Sequence, residues 1–116
     1  MQNATAENDF VIERQEPTSA NNYTWYRKYR SGWVEQGGTT TSEYGSSGVA
    51  VTLPIAMSDT NYQVSVTQVT GRRDGMASTV IPGGYALSTT QVYVCGRYVA
   101  ASEVAKLGWV VCGIAA

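Results

Sequence analysis

Period-two alternation of β-branched residues, broken at short intervals by turn chemistry, constrains this chain more than any other feature. In Val49-Ala50-Val51-Thr52-Leu53 the odd positions are apolar, and Pro54 ends the run. In Tyr62-Gln63-Val64-Ser65-Val66-Thr67, Tyr62, Val64 and Val66 share one face and Gln63, Ser65 and Thr67 the other. Successive strand side chains point to opposite sides, so each run predicts a strand with one dry and one wet face. Branching at Cβ costs freedom on a helix but packs well on a pleated surface. Leu occurs only at positions 53, 87 and 107, and the 12 Gly are scattered along the chain. Each of those would weaken a helix interior by about 1 kcal/mol. The pattern predicts an all-β chain, an antiparallel β-sandwich of short strands in a single domain. An SH3-like or OB barrel fits the same runs, because alternation alone does not order the strands.

The remaining elements follow the same logic. Tyr23-Thr24-Trp25-Tyr26-Arg27-Lys28-Tyr29 predicts a strand with Tyr23, Trp25, Arg27 and Tyr29 on one side. Arg30-Ser31-Gly32 is a tight turn in which Gly32 takes a positive φ. Trp33-Val34-Glu35-Gln36 returns as a hairpin, and Gly37-Gly38 marks a bulge or a close backbone approach. Thr39 to Thr41 can resume the strand, and 44–48 is a loop. Ser58 to Asn61 is a turn with Asp59 or Asn61 bonding its own backbone. Ala77 to Ile81 and Tyr85 to Ser88 are two weaker strands flanking Pro82-Gly83-Gly84, with the loop 71–75 before them. Gln91 to Val99 is a long strand, 100–106 a connection, and Trp109 to Ile114 a fully apolar closing strand. Alternate side chains from Trp25 to Ile114 are expected inside. Residues 1–22 are polar and mildly acidic apart from Phe10-Val11-Ile12, and are expected to be a linker or the end of a stalk, with the sandwich domain spanning 23–116.

The 116 residues suit one domain, and no apolar run approaches the length of a membrane span. The opening Met1-Gln2-Asn3 does not read as a signal peptide. Eight basic against nine acidic residues offer no bulk attraction to a phosphate backbone or an anionic bilayer. The chain contains no His, the commonest general base and metal ligand. Two Cys without His do not make an ordinary zinc site, so neither metal nor cofactor is expected. Cys95 and Cys112 fall in the last two predicted strands. If those strands pair, the thiols share a face. Without signs of an oxidising compartment they are expected to stay reduced.

Catalysis finds little support. A Ser or Cys nucleophile would need Lys28, Lys106 or a carboxylate as its base, and no motif places one there. Glu35, Glu43, Asp59 and Glu103 are the carboxylates a glycosidase pair could draw on, with no motif joining two of them. No phosphate-binding loop or dinucleotide fingerprint occurs. Arg27, Lys28 and Arg30 among Trp25, Tyr26 and Tyr29 could stack on a sugar or base. Strand alternation divides those cations between two faces, which suits a structural hairpin better. The expectation is a non-enzymatic binding or structural module.

The stretch YTWYRKYRSGWVEQGG, residues 23–38, resembles the WYRKY-SGW-EQGG signature of phage tail-fibre C-terminal domains, the gp53-like group. Val51-Thr52-Leu53-Pro54-Ile55 and Asp59-Thr60-Asn61-Tyr62 resemble the VTLP and DTNY elements that follow it, and Pro17 to Tyr23 the lead-in. The resemblance implies a terminal β-sandwich in a homotrimeric fibre of a phage or prophage virion, assembled in the bacterial cytoplasm. It further implies a preceding stalk and contact with a bacterial surface glycan or outer-surface protein. It transfers no catalytic residues. Trp25, Tyr29, Gly32, Trp33, Gly37 and Gly38 read as hairpin scaffold. Recognition is expected in the middle segment, roughly 68–91, at Arg72, Arg73, Asp74 and Tyr85, since exposed loops change without disturbing the sheets. The competing expectation is a capping domain that trimerises a fibre and binds no receptor.

Overall fold

The computed structural model describes residues 9–42, 48–70, 80–98 and 105–116. These form two antiparallel sheets packed face to face, as the alternation predicts. The larger sheet has the order β1-β2-β3-β8-β5, built from β1 (Val11–Gln15), β2 (Trp25–Tyr29), β3 (Trp33–Thr39), β5 (Gln63–Gln68) and β8 (Leu107–Ile114). The smaller has the order β4-β7-β6, from β4 (Val49–Thr52), β7 (Gln91–Tyr98) and β6 (Val80–Ala86). Between them lie Val34, Val111, Leu107 and Trp109 of the large sheet against Val92 and Val94 of the small one, all at most 3% exposed. Leu53, Met57 and Tyr62 close the same core. Each such aliphatic side chain contributes roughly 1.5–3 kcal/mol of transfer free energy.

The alternating runs behave as expected. Leu53 is buried and Val49 and Val51 half-buried while Ala50 and Thr52 are exposed. Tyr62, Val64 and Val66 turn inward and Gln63, Ser65 and Thr67 outward. Gly32 closes the β2–β3 turn at φ 96°, its N–H donating to Tyr29 O at 2.9 Å.

Several elements differ from the sequence expectation. β2 begins at Trp25, because Asn22 and Tyr23 both adopt left-handed φ of 59° and 56°. The Asn21 side chain holds that bend, its Oδ1 accepting the N–H groups of Thr18 and Thr24, each at 3.0 Å. Residues 11–15, within the polar opening segment, form an edge strand on β2. The Phe10-Val11-Ile12 patch remains exposed. Gly37-Gly38 makes no bulge. β3 runs through both with unbroken register to β8, and Gly37 also pairs with Trp25 of β2. The close-approach alternative holds instead. A Cβ on Gly37 would lie 2.7 Å from Trp25 Nε1, and one on Gly38 would lie 3.1 Å from Trp109 Cζ2. One glycine admits an indole on the outer face and the next admits an indole in the core. Pro82-Gly83-Gly84 likewise does not divide two strands. β6 continues through it as the edge of the small sheet, where the missing proline N–H is tolerated.

Trp25 and Ile114 belong to the outward face, not the interior. Trp25 pairs with Gly37, which pairs with Val110, and Ile114 is 50% exposed. The last two strands do not pair either. β7 lies between β4 and β6, and β8 between β3 and β5. Cys95 and Cys112 therefore sit on the outer faces of opposite sheets, both as free thiols. The apolar β8 gains more as an interior strand between β3 and β5 than by a hairpin with β7, since there it has two neighbours and one buried face.

Candidate functional site

The strand directions sort the connections into two ends. At one end lie the Arg30–Gly32 turn and the segments 53–62 and 87–91. They are tied by Ala115 N–H to Gly32 O at 2.7 Å, Ser58 N–H to Ile114 O at 2.9 Å and Met57 N–H to Thr89 O at 2.8 Å. Asp9 joins this end, its carboxylate accepting the Ser31 hydroxyl at 2.6 Å and the Ser31 N–H at 2.9 Å. The Ser31 hydroxyl chiefly holds the Asp9 carboxyl below its usual range.

The opposite end gathers the strand ends that flank 43–47, 71–79 and 99–104. Thr40 N–H donates to Leu107 O at 2.9 Å, and Thr40 Oγ1 accepts from Leu107 N–H at 3.0 Å. Lys106 N–H donates to Thr70 Oγ1 at 2.9 Å, and Val69 N–H returns to Lys106 O at 2.8 Å. Thr40 and Thr70 thus lock the roots of separate connections together. Arg72, Arg73 and Asp74 lie outside the described residues. Tyr85 is described, 55% exposed on the outer face of the small sheet. It sits five residues into β6 from Val80, roughly 17 Å along the strand at the usual rise.

Tyr85 does not stand alone. It pairs across the sheet with Tyr93, ring centroids 5.3 Å apart and planes tilted 34°. Ala50 is next to Tyr93 in register and is exposed. Sequence reasoning named Tyr85 but missed Tyr93. The outward period of Gln91 to Val99 contains it, yet only the β6–β7 register brings the two together.

The hairpin signature divides between two tasks. Gly32, Gly37 and Gly38 are backbone requirements. Trp25, Tyr29 and Trp33 lie on the outer face of the large sheet, where Arg27 stacks on Trp25 at 5.2 Å. Lys28 pairs with Val34 on the other face, and Arg30 lies over Phe10 at 5.8 Å, so the cations are separated as expected. Glu35 accepts from Tyr29 Oη at 3.3 Å and from Trp33 Nε1 at 3.4 Å. Its negative charge raises the Tyr29 phenol above the usual value. Asp59 accepts the Asn61 N–H at 2.8 Å beside a cleft of about 310 Å³ that includes Trp33 and Gln63. Both described glycosidase candidates are thereby engaged in local structure, while Glu43 and Glu103 lie outside the described residues. Among the described residues no group of three or more acidic or Cys side chains gathers as a metal site.

No protein-family model and no curated protein sequence matches the chain. Solved structures do. A C-terminal portion of the R2 pyocin fibre of P. aeruginosa superposes with a TM-score of 0.64 at 18% identity over 89% of this chain. The fold is that of R-type pyocin tail-fibre fragments. An N-truncated R2-type pyocin tail fibre gives 0.61 at 18% identity over 90% of the chain, and an N-truncated R1-type fibre 0.57 at 16% over 89%. The chain spans 26% and 39% of the two R2 pyocin fragments and 87% of the R1 fragment. The β-sandwich is thus a recurrent part of pyocin fibre structures, built here on a largely different sequence.

Proposed function

We propose that this chain is the C-terminal receptor-binding domain of a phage or prophage tail fibre, attaching a virion to a bacterial surface glycan or outer-surface protein. The observation that carries the reading is the separation of ends on a pyocin-fibre fold. Asp9 lies at one end, and the connections 43–47, 71–79 and 99–104 depart from strand ends at the other. A stalk preceding Asp9 would leave that second end directed at the host, the end from which the chain leaves β5 toward the sequence positions Arg72, Arg73 and Asp74. The resemblance of residues 23–38 to tail-fibre C-terminal domains supports the same reading. The module is non-enzymatic in this proposal, recognises neither nucleic acid nor membrane interior, and works at the fibre tip.

The outer face of the large sheet supports a homotrimer. Its interior strand β8 exposes Val110 at 42% and Ile114 at 50%, next to Trp33 at 36%. An apolar stripe in the middle of a sheet marks a covered surface better than a solvated one. A second copy of the chain is the occupant proposed, and trimerisation multiplies weak contacts into avidity. Light scattering at micromolar concentration should give the trimer mass, reduced by Val110→Glu. A wild-type monomer overturns the assembly. Adsorption to bacterial cells tests function. Loss on replacing Arg72, Arg73 and Tyr85 by Ala, with mass unchanged, supports receptor binding. A trimer that adsorbs to no cell type is instead a structural cap.

A further inference from the structure

We infer that copies of this chain associate by a knob-in-cleft contact, in which Phe10 and Ile12 of each copy enter a cleft beside Trp33 of the next. The inference rests on the homotrimer proposed above and names the surfaces that join it. The knob is Phe10-Val11-Ile12, three consecutive exposed apolar residues at the start of the edge strand β1, with Phe10 and Ile12 each 55% exposed. Edge strands facing solvent ordinarily carry charges or Pro, and an apolar run in that place marks a surface that something covers. The cleft, of about 310 Å³, opens at one end of the outer face of the same sheet. Trp33, Cys112 and Ile114 give it an apolar wall, and Asp59, Asn61 and Gln63 complete the lining.

Charge matches as well as apolarity. Arg30 is exposed, lies over the Phe10 ring at 5.8 Å and is in no ion pair among the described residues. Asp59 spends one carboxylate oxygen on the Asn61 N–H at 2.8 Å, and its other oxygen has no hydrogen-bond partner among the described residues. Phe10 entering the cleft brings the Arg30 guanidinium to the rim that carries this oxygen, a pairing that fixes register more than it adds affinity. Position sets the symmetry. Knob and cleft both lie at the end of the sandwich marked by Asp9 and the Arg30–Gly32 turn. Parallel copies, as a shared stalk before Asp9 requires, therefore present both surfaces at one height. The two surfaces occupy different strands, β1 against β3, β8 and β5, so the contact is heterologous and closes as a ring about the fibre axis.

The test uses the full chain. Light scattering of the wild type comes first, and a monomer there overturns the trimer reading and this contact with it. Phe10→Cys is then oxidised with copper–phenanthroline, which joins two thiols as a disulfide. Cys112 already lines the cleft, so the variant should run as a linked trimer on a non-reducing gel. Adding Cys112→Ser should abolish the linkage, and oxidised wild type, with no thiol in the knob, should run as a monomer. Products that stop at the dimer overturn the ring, and linkage that survives Cys112→Ser overturns the contact. Charge reversal gives a second readout that misfolding does not mimic. Arg30→Glu and Asp59→Arg should each weaken association roughly tenfold, and both in one chain should restore it. A wild-type trimer unaffected by either reversal, whose Phe10→Cys variant does not link, leaves the assembly standing and overturns this contact, assigning the knob to the stalk.

Discussion

Gln36 is fully buried in the middle of β3, and both ends of its amide reach the backbone of Ile55. Its Oε1 accepts the Ile55 N–H at 3.0 Å and its Nε2 donates to the Ile55 carbonyl at 2.9 Å. The side chain thus completes the backbone of a segment that has left the sheets after Pro54. Nε2 also approaches Met57 Sδ at 3.3 Å. Gln36→Leu keeps the volume but leaves a backbone donor and acceptor unpaired beside the core. Each such orphan costs about 1–3 kcal/mol, and part of one cost is recovered by the more apolar side chain, for a net loss of about 3 kcal/mol. Against a total of about 5–15 kcal/mol for a domain, that is a large share. At about 4–8 °C per kcal/mol it lowers the melting temperature by roughly 15 °C. Urea unfolding at fixed protein concentration measures it, with an unchanged slope and a lower midpoint. Gln63→Leu, on an exposed position of β5, should stay within about 0.5 kcal/mol. A Gln36→Leu variant within about 1 kcal/mol of wild type would refute the idea that this amide anchors the 53–57 segment.

Gly37→Ala places a methyl 2.6 Å from Trp109 O and 2.7 Å from Trp25 Nε1, and overpacking of this kind costs about 1–3 kcal/mol. Thermal unfolding followed by tryptophan fluorescence should show it, while Gly83→Ala, with open space around it, changes little. Tyr62 donates its hydroxyl between Ser88 O at 2.7 Å and Gln91 O at 2.8 Å, and burial raises its phenol above 10.0. A folded-state value above the unfolded one means its stabilisation is intact below about pH 10 and lost as pH rises through the higher folded value. Alkaline denaturation should therefore be shallower in Tyr62→Phe, which at neutral pH is itself weakened by about 1–2 kcal/mol.

What the sequence made legible follows from how far each signal reaches. Alternation is local, so Val49 to Leu53 and Tyr62 to Thr67 could be oriented without knowing their neighbours. The β2–β3 turn was equally local, since Gly32 needs only its own φ. Strand order is not local. Nothing between Cys95 and Cys112 announces that the chain changes sheets there, so the sequence leaves the pairing of those two strands open. An apolar run such as Trp109 to Ile114 reads the same whether both faces are buried or one is exposed, which is why Ile114 is expected inside and found outside. Gln36 gave no signal, because its polarity matches Glu35 beside it and only the arrival of Ile55 explains its burial. Tyr85 was found through exposure of its segment, whereas Tyr93 needed the register.

The paired glycines show how one hairpin sets the shape of the whole large sheet. Gly37 seats Trp25 on the outer face and Gly38 seats Trp109 in the core, so two adjacent backbone positions fix both sides of the large sheet at once. A side chain at either position would push an indole away, and with it the packing of β2 or β8. The core end is held just as firmly through Gln36, Tyr62 and the ladder from Gly32 to Ala116. At the opposite end, Thr40 and Thr70 tie the roots of two connections, and Thr39 N–H donates to Asn22 O at 3.0 Å. Tyr85 and Tyr93 occupy an intermediate position, on rigid strands but on the solvent side. Their ring contact is set by the β6–β7 register, so it needs no ordering of a loop.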